Sequence, residues 1–192
     1  YSHFVPEFSK FKNTFVEDGD ESKFKIKNYK KKDDDENIHE FNIISYKKEK
    51  LDNTKMGPVI IQEEEEEEFQ FNFNLGTARS IIFNENDELI CFTPPKSIDY
   101  TNFTTKYNYQ DNDIVLQEFI EGTMISVFYN NATSSWEIST KSFVGANNHF
   151  FKSDGDPITF SKMFNDICYE FGLDFEFLKK EFCYNFVFQH PD

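Results

Sequence analysis

The chain has 192 residues, room for one domain with a real core and too few for two complete ones. Acidic residues outnumber basic ones 35 to 20, a formal net charge of −15, which excludes a general duplex binder held mainly by phosphate contacts. The 25 Phe and 9 Tyr predict a packed globular body rather than a disordered chain.

Arg79 is the sole arginine, so any site that needs a forked guanidinium must use it. Cys91, Cys168 and Cys183 are few, unevenly spaced and odd in number, which supports neither a disulfide framework nor a zinc knuckle and predicts a reducing, intracellular setting. No apolar run reaches the ~20 residues a bilayer span requires, and no charged-then-apolar leader opens the chain, so neither a membrane protein nor a secreted one is expected. The chain starts at Tyr1 and stops directly after a strand-like run, so a piece of something longer is expected.

Residues 1–75 read as a charged N-terminal arm or partial subdomain. Charge comes there in blocks, Lys30 to Lys32 against Asp33 to Glu36 and then Glu63 to Glu68, which are expected to stay solvated. Strands are expected at Glu40 to Tyr46 and Val59 to Gln62; the region before them shows no clear period. From residue 76 the pattern sharpens. Ser80 to Phe83 and Glu88 to Phe92 flank Asn84-Glu85-Asn86-Asp87, a hairpin signature that Pro94-Pro95 ends. Asp113 to Ile120, Met124 to Asn130 and Trp136 to Lys141 predict a three-strand meander, with Trp136 as a sheet anchor. Ile158, Met163, Phe164, Ile167, Cys168 and Phe171 then recur at helical steps with Gly172 as the stop. A second short helix is expected over Asp174 to Glu181, and Cys183 to Gln189 returns to strand. This order predicts an α+β fold of antiparallel sheets with packed helices.

Ordinary site signals are absent. The seven Gly are scattered, no CxxC or HExxH spacing occurs, and the four His are isolated, so no metal site is expected. The run Glu63 to Glu68 offers consecutive carboxylates where a cation needs convergent ones.

One ordered set of segments is more specific: Ala78-Arg79-Ser80-Ile81-Ile82-Phe83, Phe92-Thr93-Pro94-Pro95-Lys96-Ser97, Phe119-Ile120-Glu121-Gly122-Thr123-Met124-Ile125, Ser139-Thr140-Lys141-Ser142 and Phe186-Val187-Phe188-Gln189-His190-Pro191. Over residues 76–192 this order resembles the adenylyltransferase domain of phage-type RNA ligases, ATP-dependent covalent nucleotidyltransferases, in wording similar to that of large DNA viruses. The resemblance implies an RNA-ligase-like nucleotidyltransferase domain, incomplete at its C-terminus. That family attacks the α-phosphate of ATP with a lysine in Lys-x-Asp-Gly. Here Glu121 and Gly122 match the acidic-Gly pair, but the lysine position is Phe119, whose ring has no lone pair to offer. Arg79 matches the arginine of the hairpin strand that faces the nucleotide phosphates, Lys96 a lysine upstream of the nucleophile and Lys141 the lysine of the later strand that meets the phosphates, all read as nucleotide-binding, and Val187 stands where a ribose-binding Glu is expected.

The resemblance therefore implies a non-catalytic derivative of that fold, a structural or binding module in a larger viral protein or assembly. Its partners are expected to be proteins, with RNA a weaker expectation, and its place the cytoplasm of an infected cell or a virion. No cofactor is expected. The alternatives are an active ligase with a displaced nucleophile, Lys96 or Lys141, using ATP and Mg²⁺, or a nucleotide or RNA-end sensor that holds phosphate on Arg79, Lys96 and Lys141 without transfer.

Overall fold

The computed structural model describes residues 8–9, 23–32, 36–50, 78–108, 114–115, 117–118, 120–149 and 158–189. The strand expected at Val59 to Gln62 and the run Glu63 to Glu68 lie outside them. Strands β1 (Phe24–Lys32) and β2 (Ile38–Tyr46) pair antiparallel, with Phe24 opposite Tyr46 and Lys32 opposite Ile38. Strand β3 (Ile81–Phe83) adds to β2 and β4 (Leu89–Phe92) adds to β3, so residues from before position 75 form half of this first sheet. The β3–β4 turn closes as its residue types predict. Asn84 is fully buried, its Oδ1 accepts the N–H groups of Asn86 and Glu88, and Asp87 takes a left-handed φ of 61°.

The second sheet runs β7-β6-β5-β8, all antiparallel, from β5 (Thr123–Asn130), β6 (Ser135–Thr140), β7 (Phe143–Val144) and β8 (Tyr184–Phe188). The expected meander is therefore corrected at its first member. The described residues among 113–120 are irregular chain, Val115 is 74% exposed, and the chain's closing strand β8 occupies the second edge of β5 instead. Helix α1 (Tyr100–Lys106), which the sequence pattern missed, starts on Asp99, whose carboxylate accepts the N–H of Asn102 at 2.9 Å.

Helix α2 (Phe160–Phe171) follows its apolar period. Thr159 caps its N-terminus through the Lys162 N–H, and Gly172, at φ 67°, ends it in a left-handed turn with Leu173 N–H on the Cys168 carbonyl. The expected second helix is one 3₁₀ turn, Phe175–Phe177. The Tyr184 hydroxyl takes up both the N–H and the C=O of Lys179, the groups a longer helix would have used.

Three apolar layers result. Phe24, Ile44, Ala78, Ile81 and Phe83 pack on one face of the first sheet, where the Phe8 ring lies 5.5 Å from that of Phe83. Phe41, Ile43, Ile82, Cys91, Phe128 and Val144 fill the space between the sheets. Ile125, Val127, Phe188 and Ala146 meet Phe160, Met163, Phe164 and Cys168 of α2 on the outer face of the second sheet. Alternation along β5 makes this division, sending Ile125 and Val127 to the helix and Phe128 to the first sheet. Trp136 anchors the helix-side layer, edge-on to Tyr129 and Phe175.

The lysine block of β1 is not simply a solvated face. Lys30 pairs with exposed Glu40 and holds that carboxyl below its usual range. Lys31 crosses to the second sheet, where its Nζ lies 2.7 and 2.9 Å from the two carboxylate oxygens of Glu137, a residue only 3% exposed. Among the described residues no helix is long and apolar enough to cross a membrane.

Candidate functional site

Of the positions singled out in the sequence, Arg79 and Lys141 come to one end of the two sheets, where Tyr46 relates them. Arg79 leads into β3. It is fixed by its neighbours, since the Ala78 carbonyl accepts from Tyr46 N–H at 2.8 Å and the Ser80 carbonyl accepts from both Thr93 N–H and Oγ1 at 3.0 Å. Both neighbours are fully buried and Arg79 is half-buried.

Lys141, at the corner after β6, meets the same place from the other sheet. Its Nζ lies 4.4 Å from the Tyr46 ring centroid and donates to the Tyr46 hydroxyl at 3.3 Å. Tyr46 therefore touches the Arg79 strand through its backbone and the Lys141 amine through its side chain. Neighbouring contacts strengthen this corner: Lys27 Nζ donates to the Ser142 carbonyl at 3.2 Å, and Tyr29 meets the Phe143 ring edge-on at 4.8 Å. A cation over an aromatic face, partly desolvated, contributes about 0.5–2 kcal/mol. The sheets are thus joined at this end by lysine and tyrosine side chains.

Lys96 and Glu121 are not brought to that pair. Lys96 Nζ turns back on the Ser97 carbonyl at 3.2 Å, beyond the end of β4. The Glu121 side chain is exposed, and its backbone carbonyl accepts from Gln189 Nε2 at 2.6 Å. Phe119 lies outside the described residues. Gly122 has a reason of its own. A Cβ there would fall inside contact distance of the Phe188 carbonyl oxygen and against the Val187 side chain, so close approach of β8, rather than a sharp turn, requires glycine. Gly122→Ala is expected to destabilise the protein by about 1–3 kcal/mol, as overpacking against backbone does, measured as a lower denaturant midpoint with an unchanged slope. Val187 itself is 46% exposed.

These residues fit an ATP only in part. Arg79 and Lys141 share an end of the fold, but Lys141 is already engaged by Tyr46 and Lys96 by its own backbone. No group of three or more His, Cys, Asp or Glu gathers among the described residues as a metal site would.

The structure also holds a feature that the sequence reading passed over. A cavity of about 400 Å³ opens between β4 and the chain entering β8, lined by Ile90, Cys91, Tyr129, Lys180, Glu181 and Cys183 among others. Cys91 and Cys183, far apart in sequence, both line this cavity, and Cys183 packs against the apolar cluster that holds Cys91. The Cys183 sulfur also contacts both backbone groups of Phe92, at 3.5 Å from its N–H and 3.4 Å from its carbonyl. That thiol pair, with the Phe92 N–H, draws Cys183 down to about 6 against the opposing effect of burial. The neighbouring Cys183 thiol and burial push Cys91 well up. The two sulfurs titrate as a pair that gives up a first proton readily and a second with difficulty. Lys180 lies above the Tyr129 ring at 4.2 Å on the same rim. The packing of the first sheet against the second brings β4 and the chain entering β8 to one cavity and so the cysteines together; cysteine spacing carried no such signal.

Compared with protein-family models, with curated proteins and with solved structures, the chain matches none.

Proposed function

We propose that this chain is an RNA-ligase-like nucleotidyltransferase domain that no longer transfers nucleotide and serves as a binding or structural module in a larger viral assembly. Five motif segments in family order support the resemblance, and Phe119 at the nucleophile position supports the loss of transfer. The observation that carries the reading is the placement of Lys141. Where the family resemblance implies a phosphate contact, its amine is held by the Tyr46 ring and hydroxyl, so it joins one sheet to the other. A lysine nucleophile needs a free, deprotonated amine above an open nucleotide site; Lys141 and Lys96 are both turned to acceptors within the protein. The acidic surface, at a net −15, favours a protein partner over RNA.

Incubation of the full chain with α-labelled ATP and Mg²⁺ or Mn²⁺ tests this. The expected result is no label retained on the denatured protein. An alkali-stable, acid-labile adduct of AMP on Lys96 or Lys141 overturns the proposal in favour of the active ligase. Reversible ATP binding that is weakened at least tenfold in Arg79→Ala, without an adduct, replaces it with the sensor reading.

A further inference from the structure

We propose that Cys183 and Cys91 form a peroxide-reactive thiol site, in which Cys183 attacks a small hydroperoxide in the cavity beside β4 and Cys91 resolves the product into an intramolecular disulfide. The proposal is independent of the nucleotidyltransferase reading. Its basis is placement. Cys183 is partly exposed and lines the cavity, whereas Cys91 lines the same cavity, is only 1% exposed and belongs to the apolar cluster against which Cys183 packs. Cys183 is therefore the more accessible of the two thiols to a solvent-borne oxidant.

The local groups favour the anionic form of the outer sulfur. The Phe92 N–H points to it at 3.5 Å, opposed by the Phe92 carbonyl that accepts from its thiol at 3.4 Å, and Lys180 stands on the cavity rim, with Glu181 the opposing charge there. The thiolate is the nucleophile of a cysteine, and its reactivity rises when hydrogen-bond donors and a cation stabilise it while some exposure remains. A neutral hydroperoxide of a few heavy atoms is small against a cavity of about 400 Å³ and needs no charged anchor.

The chemistry balances. The Cys183 thiolate attacks the terminal oxygen of ROOH, an S–O bond forms as the O–O bond breaks, and the alkoxide leaves to become ROH with a proton from solvent. Cys183 is then a sulfenic acid and carries no charge, which removes the influence that held the Cys91 proton in place. The Cys91 sulfur attacks the Cys183 sulfur, the S–S bond forms, and hydroxide departs and takes up the Cys91 proton as water. Two thiols are oxidised by two electrons, and one hydroperoxide is reduced. The sulfurs must close to about 2 Å. Cys183 precedes the first residue of β8, so irregular chain takes up the shift before the sheet does.

The test is oxidation of the full chain with one equivalent of hydrogen peroxide at neutral pH, followed by alkylation and peptide mapping. The expected product is a monomer lighter by two hydrogens, with Cys91 joined to Cys183, Cys168 still alkylated, and full reversal by dithiothreitol. Cys168 serves as the internal reference because it is buried on α2, where burial raises its pKa. In Cys91→Ala, dimedone is expected to trap a sulfenic acid at Cys183; in Cys183→Ser, Cys91 is expected to oxidise at least tenfold more slowly. The proposal is overturned if Cys183 in the parent protein reacts with peroxide no faster than Cys168, if it proceeds to sulfonic acid with Cys91 untouched, or if the disulfide forms between chains. The parent mapping decides the matter on its own should either variant fail to fold.

Discussion

Replacing Phe164 by alanine is expected to destabilise the protein by about 3–5 kcal/mol, the range found when a large ring is removed from a packed core. Phe164 is 2% exposed and stands where α2 meets the second sheet, with its ring 5.7 and 5.8 Å from those of Phe186 and Phe188 on β8 and 6.2 Å from that of Phe175. Those three partners come from the segment after the helix, so this one ring ties the closing stretch of the chain to β5 and β6. The void left by alanine is lined by rings fixed on a sheet and a 3₁₀ turn, which restricts collapse. A loss of this size is a large share of the 5–15 kcal/mol that stabilises an ordinary domain. Urea unfolding of parent and variant measures it, with Phe164→Leu expected to lose less than half as much. A loss below about 1 kcal/mol for the alanine variant contradicts the packing of α2 on this sheet.

Lys31→Met is expected to cost about 2–4 kcal/mol, somewhat under the value for a fully buried pair because Lys31 is itself partly exposed. The cost does not come from a lost attraction between two solvated charges. It comes from Glu137, which stays between the sheets with its carboxylate stripped of its cation; among the described residues it keeps only Ser135 Oγ at 3.5 Å. Two comparisons separate these causes. Lys30→Met, whose partner Glu40 is solvent-exposed, should leave the unfolding midpoint with the parent, since water and salt screen that pair. The double variant Lys31→Met with Glu137→Leu should recover most of the loss, because no charge then remains buried. If the double variant is as unstable as the sum of both single changes, the two residues act independently and the cross-sheet pair has no energetic role.

The sequence made β2, the β3–β4 hairpin, β5, β6, α2 and β8 legible because each carries a strong local signal: alternation, a turn of Asn and Asp, or an i, i+3, i+4 stripe closed by Gly172. The α+β class followed from their order. β1 was missed because its outward positions are lysines, and Lys30-Lys31-Lys32 reads as a solvated block until Glu137 is seen to need one of them. The strand expected before Gly122 failed for a non-local reason: β8, contributed from the far end of the described chain, takes the edge of β5. The helix expected from Asp174 stops after one turn because of Tyr184, ten residues on.

The candidate site divides along the same line. Arg79 and Lys141 were chosen for motif order and do stand at one end of the fold, yet the residue that relates them is Tyr46, which no motif named. Lys96 and Glu121 carry charge at the surface without joining that pair. Gly122 was matched to the acidic-Gly pair of the motif, and the close approach of the β8 backbone gives it a structural reason. The Cys91–Cys183 pair had no sequence signature, since each cysteine looks isolated until two strand pairings place them together.

The lysines of β1 bear on how copies of the chain meet. Among the described residues β1 is the outer strand of its sheet, with a line of backbone amides and carbonyls of the kind that another polypeptide could hydrogen-bond. Lys25, Lys27, Lys30, Lys31 and Lys32 all lie along that margin. Two such margins brought side by side would oppose cation to cation, and this repulsion is one of the ways natural sheets avoid fusing into fibrils. In a chain of net −15, most of the surface deters close approach by negative charge, and the β1 border, one of the sheet edges among the described residues, deters its own kind by positive charge.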